Sequence, residues 1–130
     1  MLITQPVNII IEHLPNHEVL NPILEKDIKA AGDVTGGRSA AKCYRTRWDM
    51  HEIYPSFKKL TDGILEVVKR ACGPATDEEG KPKDYILRTH DSWGLIYKKG
   101  DITNAHQHYP CLWSWTYCVK SCELCSPLVF

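Results

Sequence analysis

Two histidines separated by one glutamine are the residues of this chain best suited to chemistry. His106 and His108 follow a turn that contains Gly100 and precede an aromatic stretch. On an extended backbone, side chains at positions i and i+2 project to the same face, so both imidazoles can meet one metal ion. Neutral imidazole is a ligand for iron, copper, nickel and zinc. The spacing therefore predicts a metal site, with two ordinary surface histidines as the alternative.

The composition is that of an ordinary globular domain. The chain has 130 residues, of which 43% are hydrophobic and 25% charged, and this fits one domain with its own core. Sixteen basic residues balance sixteen acidic ones, so no net field favours nucleic acid or a membrane surface. The apolar run Ile9–Ile11 is too short for a signal peptide or a membrane span. We therefore expect an intracellular, cytoplasmic protein.

Two helices are predicted in the first half of the chain. Asn21 and Pro22 supply an N-cap and a first-turn proline for a helix that runs to about Ala31 and stops at Gly32. A second helix, from about Pro55 to Ala71, is indicated by apolar residues at helical spacing: Phe57, Leu60, Ile64, Val67, Val68 and Ala71.

Strands are predicted mainly in the second half. The segments rich in β-branched and aromatic residues are Val7–Leu14, Tyr85–His90, Trp93–Lys98 and Leu112–Lys120, with Leu128–Phe130 as the start of another. Residues 35–39 and 75–84 are predicted to be loops. Helices followed by mostly antiparallel strands predict a single α+β domain over residues 1–130. In it, residues 1–84 form a mainly helical support and residues 85–130 carry the histidine motif.

A longer pattern around the histidines resembles a known family. The stretch Tyr97-x-x-Gly100-x5-His106-x-His108-Tyr-Pro110 is similar to the metal-binding stretch of the Fe(II)- and 2-oxoglutarate-dependent oxygenases. The nearer likeness is to a prolyl-hydroxylase-like group of bacterial and phage members. The matching text also includes Trp93, Lys99-Gly-Asp101 and Ser114-Trp-Thr-Tyr-Cys-Val-Lys120. The resemblance covers residues 93–130 by motif and the helical first part by layout alone.

The resemblance implies a fold, a reaction and a metal. The fold is a double-stranded β-helix (a jelly roll) with helices packed outside it. The reaction is the hydroxylation of a small-molecule or peptide substrate, with Fe(II) and 2-oxoglutarate as cofactors and ascorbate as a reductant. By position, His106 is the first metal ligand and His108 occupies the place of the family's carboxylate. A histidine there is a departure, because it makes the iron site more positive and alters its redox tuning.

Four residues are the expected contacts of the oxoacid. Thr103 falls where prolyl-hydroxylase-like members often have a tyrosine, and Tyr97, Ser114 or Tyr117 could replace that contact. Packing in the core is the alternative for the aromatic ones. Five other polar residues are expected at the surface or in turns. The alternative role of Asp91 and Asp101 is to orient a metal ligand, and that of Arg45, Arg47 and Arg88 is to bind the oxoacid.

The family's distal histidine and basic oxoacid-binding residue would lie beyond Phe130. We therefore expect a truncated and inactive piece of an oxygenase. Two alternatives remain. Another copy of the chain or another protein could supply the missing strands, or the site could have diverged.

Two further classes of protein remain open. Cys118, Cys122 and Cys125, with Cys111 or His108, could form a small structural zinc site. We expect the six cysteines to be reduced thiols, because no export signal is seen. The other class is a jelly-roll binding domain without catalysis.

Overall fold

The computed structural model describes residues 8–34 and 39–122, which form an α+β fold. Its helices are α1 (His17–Ala30), α2 (Met50–Ile53) and α3 (Pro55–Cys72). Its strands are β1 (Ala41–Lys42), β2 (Tyr44–Arg45), β3 (Ala75–Thr76), β4 (Pro82–Lys83), β5 (Leu95–Ile96) and β6 (Ile102–Thr103). The predicted α+β class is confirmed. No helix within the described ranges is long and apolar enough to cross a membrane.

The first helix begins earlier than predicted. It starts at His17, after Asn16 in the left-handed conformation (φ 62°), and Pro22 lies inside it. The backbone N–H groups of Val19 and Leu20 both donate to the Asn16 carbonyl at 3.1 Å, so the first turn closes before Pro22. Pro22 cannot donate a helical hydrogen bond, and packing of the buried face outweighs that loss. The buried residues are Leu20, Leu24 and Ile28.

The predicted second helix is confirmed as α3. It ends where Gly73 takes a φ of 65°, which glycine adopts without a Cβ clash. Most of its predicted stripe is buried or partly buried, but Ala71 is exposed. The core is one cluster formed with α1 and α2: Leu14, Leu20, Leu24, Ile28, Met50, Phe57 and Leu60.

Several strand predictions were wrong. Residues 8–14, 85–90 and 112–120 contain no paired strand, and pairing in 93–98 is limited to β5. Alternating apolar residues predict which side chains face inward, but a strand also needs a hydrogen-bonded neighbour. The predicted loop 75–84 instead contains the β3–β4 hairpin. Val7, residues 35–38 and Leu128–Phe130 lie outside the described residues.

One antiparallel ladder joins the two halves of the chain. Strands β1 and β2, which were not predicted, pair with β6 and β5 respectively. Next to β2, the Thr46 N–H donates to the Gly94 carbonyl at 3.0 Å. Beyond it, an isolated parallel bridge joins Asp49 to Ser92, whose N–H donates to the Trp48 carbonyl at 2.8 Å. Residues 41–48 thus position the segment that leads to the histidines. Within the described ranges the strands form two-stranded pairs and no jelly roll.

Candidate metal site at His106 and His108

The backbone of Trp93 is fixed on both sides by buried neighbours. Ser92 is 1% exposed, and its hydroxyl oxygen accepts a hydrogen bond from the His51 backbone N–H at 3.1 Å. The N–H of Gly94 donates to the hydroxyl of the fully buried Thr46 at 2.9 Å. These contacts fix the backbone on both sides of Trp93 next to strand β5.

A row of rings runs from Trp48 to His106. The Trp93 ring lies edge-on to Trp48, with centroids 4.5 Å apart, and contacts the His108 ring at 5.6 Å. The rings of His106 and His108 lie 4.7 Å apart at an interplanar angle of 73°. The structure therefore brings the two predicted ligands together, and we call them the histidine pair.

His106 is held in one orientation by the main chain. Its Nδ1 donates a hydrogen bond to the Asn104 carbonyl at 2.7 Å, and the Asn104 N–H donates to the Ala40 carbonyl at 3.0 Å. An imidazole that donates through Nδ1 carries its lone pair on Nε2 in the neutral form. This is the usual support of a metal-ligating histidine, in which the second ring nitrogen is held by a backbone carbonyl or a carboxylate.

His108 is half-buried, and this affects its protonation. Burial lowers the pKa of His108 from its usual 6.5, and the nearby charge of His106 lowers it further, whereas Asp91 raises it. The His108 carbonyl accepts a hydrogen bond from the Cys111 N–H at 2.7 Å. The ring is therefore in its neutral form at neutral pH, and neutral imidazole is the form that binds metals.

The described residues contain no third ligand beside the pair. Within 8–34 and 39–122, no group of three His, Cys, Asp or Glu side chains is placed to hold a metal ion. Asp91 pairs with His90 Nδ1 at 2.9 Å. Asp101 accepts the Lys98 N–H at 2.8 Å and closes the turn at Gly100, so it is a turn residue.

The four expected oxoacid contacts fall into two groups. Tyr97 and Thr103 share a hydrogen bond between their hydroxyls. The hydroxyl of Tyr117 donates to Asn21 Oδ1 of α1 at 2.7 Å, and Ser114 is exposed on the same extended segment as Tyr117. Burial raises the pKa of both Tyr97 and Tyr117. Tyr97 and Thr103 are therefore in direct contact with each other, whereas Tyr117 attaches its segment to the first helix.

A surface cleft of about 730 Å³ lies along the β1–β6 and β2–β5 pairs. Its lining includes Cys43, Tyr44, Ile96 and Lys98, but neither member of the histidine pair. The pair thus lies on an open surface rather than in this cleft.

Arg45, expected at the surface, is only 5% exposed. Its guanidinium donates to the carbonyls of Thr46 at 3.2 Å and Val34 at 3.4 Å, and its carbon Cζ lies 4.1 Å from the ring centre of Trp48. Its Nε has no hydrogen-bond partner among the described residues. The sequence did not single out Trp48 or Cys43, because their partners Trp93 and Tyr97 are far away along the chain.

The expectation that all six cysteines are reduced thiols is wrong for Cys122. Cys43, Cys72, Cys111 and Cys118 are free thiols, and Cys122 is disulfide-bonded. A disulfide sulfur is not a thiolate ligand, so the predicted zinc set loses one of its donors. Cys125 lies outside the described residues.

No protein-family model, curated protein or solved structure matches this chain.

Proposed function

We propose that this chain is an Fe(II)-binding protein of the 2-oxoglutarate-dependent oxygenase kind, with His106 and His108 as iron ligands. One observation carries the proposal: the centroids of the two imidazole rings lie 4.7 Å apart. The hydrogen bond from His106 Nδ1 to the Asn104 carbonyl leaves Nε2 as the ligating nitrogen.

The choice of iron rests on the sequence motif. Two imidazoles also suit zinc, nickel and copper, so the pair by itself indicates a divalent transition metal. The Tyr97-to-Pro110 pattern is what favours iron with an oxoacid. Bound iron would supply open coordination positions for 2-oxoglutarate and oxygen. The chain's own part is to orient the two rings through Asn104 and Trp93.

The jelly roll is the finer part of the proposal. The antiparallel pairs β1–β6 and β2–β5 lie directly before the histidine segment, as strands of such a fold would. Tyr97 and Thr103 lie on or next to these strands and are the first residues to examine for oxoacid contact. Ser114 and Tyr117 remain in the proposal as secondary contacts.

The test measures metal binding and turnover separately. Anaerobic titration calorimetry with Fe(II) should give binding to the wild type and none to His106→Ala or His108→Ala. His13→Ala is the matched control, because it removes an exposed histidine near His17, whose ring is 6.3 Å away. Iron binding that survives both pair substitutions would overturn the proposal.

Turnover then distinguishes an oxygenase from a binding domain. Succinate production by the wild type with Fe(II), 2-oxoglutarate and ascorbate, above the level of His106→Ala, would identify a catalytic oxygenase. Iron binding without succinate would leave the metal site in place and would identify the chain as non-catalytic.

A further inference from the structure

The surface cleft along the β1–β6 and β2–β5 pairs has an apolar floor. Cys43 is the residue between β1 and β2, at the point where the chain passes from the first pair to the second. The buried or half-buried lining residues include Ala41, Tyr44 and Ile96 besides this thiol, which packs as a small hydrophobic group. The volume of about 730 Å³ is typical of a site for a small molecule.

Two aspartates bring negative charge into the cleft. Asp101 is half-buried, and its Oδ2 accepts a hydrogen bond from the Lys98 backbone N–H at 2.8 Å. Asp33 Oδ1 accepts one from the Arg45 backbone N–H at 3.2 Å. Burial raises the pKa of the Cys43 thiol, and the charges of both aspartates raise it further. The two carboxylates therefore act on the middle of the cleft.

Three lysines bring positive charge to the exposed rim of the same cleft. The ammonium of Lys29 is paired with Glu25 at 2.6 Å, so its charge is largely balanced within α1. Lys42 Nζ donates to the Ser39 carbonyl at 3.0 Å, and a neutral acceptor leaves its full charge at the cleft. Lys98 is the third. The cleft thus combines two aspartates with two lysines whose charge α1 does not balance, over an apolar floor.

We propose that this cleft binds a small apolar amino acid as a zwitterion. A simple anion would be repelled by Asp33 and Asp101, and a simple cation by Lys42 and Lys98. A molecule with both charges places its ammonium at the aspartates and its carboxylate at the lysines, with charge-assisted hydrogen bonds to each. Its side chain covers the apolar floor. The histidine pair does not line the cleft, so this site is separate from the proposed metal site.

L-Leucine is the probe, and two analogues that each lack one charge are its controls. In an NMR titration, leucine should shift the backbone amide signals of Cys43 and Ile96 saturably, with a Kd of about 1 mM or tighter. The amide signals of His106 and His108 should not move. Isocaproate lacks the ammonium group and isoamylamine lacks the carboxylate. Each should bind at least about tenfold more weakly than leucine.

Charge substitutions identify the groups that hold the amino acid. Lys42→Gln and Lys98→Gln should each weaken leucine binding by about three- to tenfold. Lys99→Gln is the matched control, because it removes the next lysine of the same turn, which does not line the cleft, and it should bind leucine as the wild type does. Asp101→Asn keeps an oxygen for the Lys98 N–H but removes the charge, so the preference for leucine over isocaproate should shrink.

Four results would disprove the proposal. The first is the absence of saturable shifts up to about 20 mM leucine. The second is binding of isocaproate or isoamylamine as tight as that of leucine, because one charge alone would then account for it. The third is equal weakening by Lys98→Gln and Lys99→Gln, which would be a general effect of surface charge. The fourth is an unchanged preference for leucine over isocaproate in Asp101→Asn. Urea denaturation of each variant checks that it is folded.

Discussion

The backbone of Gly94 lies directly against the side chain of Ile28. A Cβ atom at position 94 would stand 2.5 Å from Ile28 Cγ1 and 3.0 Å from two further carbons of that side chain. Ile28 is a core residue of α1. Gly94 directly precedes strand β5, and its carbonyl accepts the hydrogen bond from the Thr46 N–H. This contact holds the first helix on the ladder that leads to the histidine pair.

Gly94→Ala should destabilise the fold. The added methyl overpacks a tight contact, and we expect the free energy of unfolding to fall by about 1–3 kcal/mol. Urea denaturation followed by tryptophan fluorescence measures it. Gly63→Ala is the matched control, since its Cβ would meet Leu14 at an ordinary 3.6 Å inside α3. There the loss of a helical glycine should stabilise by about 0.5–1 kcal/mol. Equal effects at the two positions would contradict the packing described.

Cys43 should resist alkylation, whereas the exposed thiols should react. Burial raises the pKa of the Cys43 thiol above its usual 9.0, so the thiolate is scarce and shielded at pH 8. Iodoacetamide treatment of the native protein, followed by peptide mass spectrometry, should label Cys72, Cys111 and Cys118 first. Labelling in denaturant should make all four alike. Early labelling of native Cys43 would show that the β1–β2 region opens readily.

The interactions of the Glu25 carboxylate with Lys29 and Lys120 should stabilise the fold at neutral pH and be lost in acid. The hydrogen bond from Lys29 and the charge of Lys120 lower the pKa of the Glu25 carboxyl below its usual 4.5. The folded state therefore holds its proton less tightly than the unfolded state does. The contribution is complete above about pH 4.5 and is lost as pH falls through the lower folded pKa.

Glu25→Gln isolates this contribution. The difference in unfolding free energy between wild type and variant should shrink as pH falls from 6 to 3. Because the group is exposed, it should also shrink in high salt. A difference in unfolding free energy that grows in acid would contradict the lowered pKa of Glu25.

Arg45 and Trp48 should show energetic coupling. The buried guanidinium lies over the indole of Trp48, which is itself 41% exposed, and a cation–π contact of this kind is worth about 0.5–2 kcal/mol. A double-mutant cycle with Arg45→Met and Trp48→Leu measures the coupling. The exposed ion pair Arg47 and Asp49 is the control, with Arg47→Met and Asp49→Asn. Salt should weaken the coupling of the exposed ion pair more than that of Arg45 and Trp48.

The sequence correctly predicted features that depend on residues close to each other along the chain. The stripe of α3 repeats at helical spacing, and Gly73 ends that helix, so its bounds followed from adjacent residues. The nearness of the two histidine rings followed in the same way from the spacing of His106 and His108.

Features that depend on distant parts of the chain could not be predicted in this way. Strands β1 and β2 are two residues long, and their pairing with β6 and β5 joins positions at least fifty residues apart. The burial of Arg45 also depends on a contact outside its immediate neighbourhood, because its guanidinium donates to the carbonyl of Val34, eleven residues earlier. Residues 112–120 show the converse, because the alternation of their side chains was visible in the sequence, whereas the described part of the chain pairs no strand with them.

The long span between the two sides of the ladder has a kinetic consequence. Thr103 meets Ala41 only after the chain has closed a loop that contains all of α2 and α3. Closing a long loop costs entropy before its contacts form, and contacts of this kind slow folding. The helices can therefore appear early, while the imidazoles reach their mutual orientation among the last events. A synthetic peptide of residues 93–110 would lack that orientation, since Ala40 and Trp48 lie on the part left out.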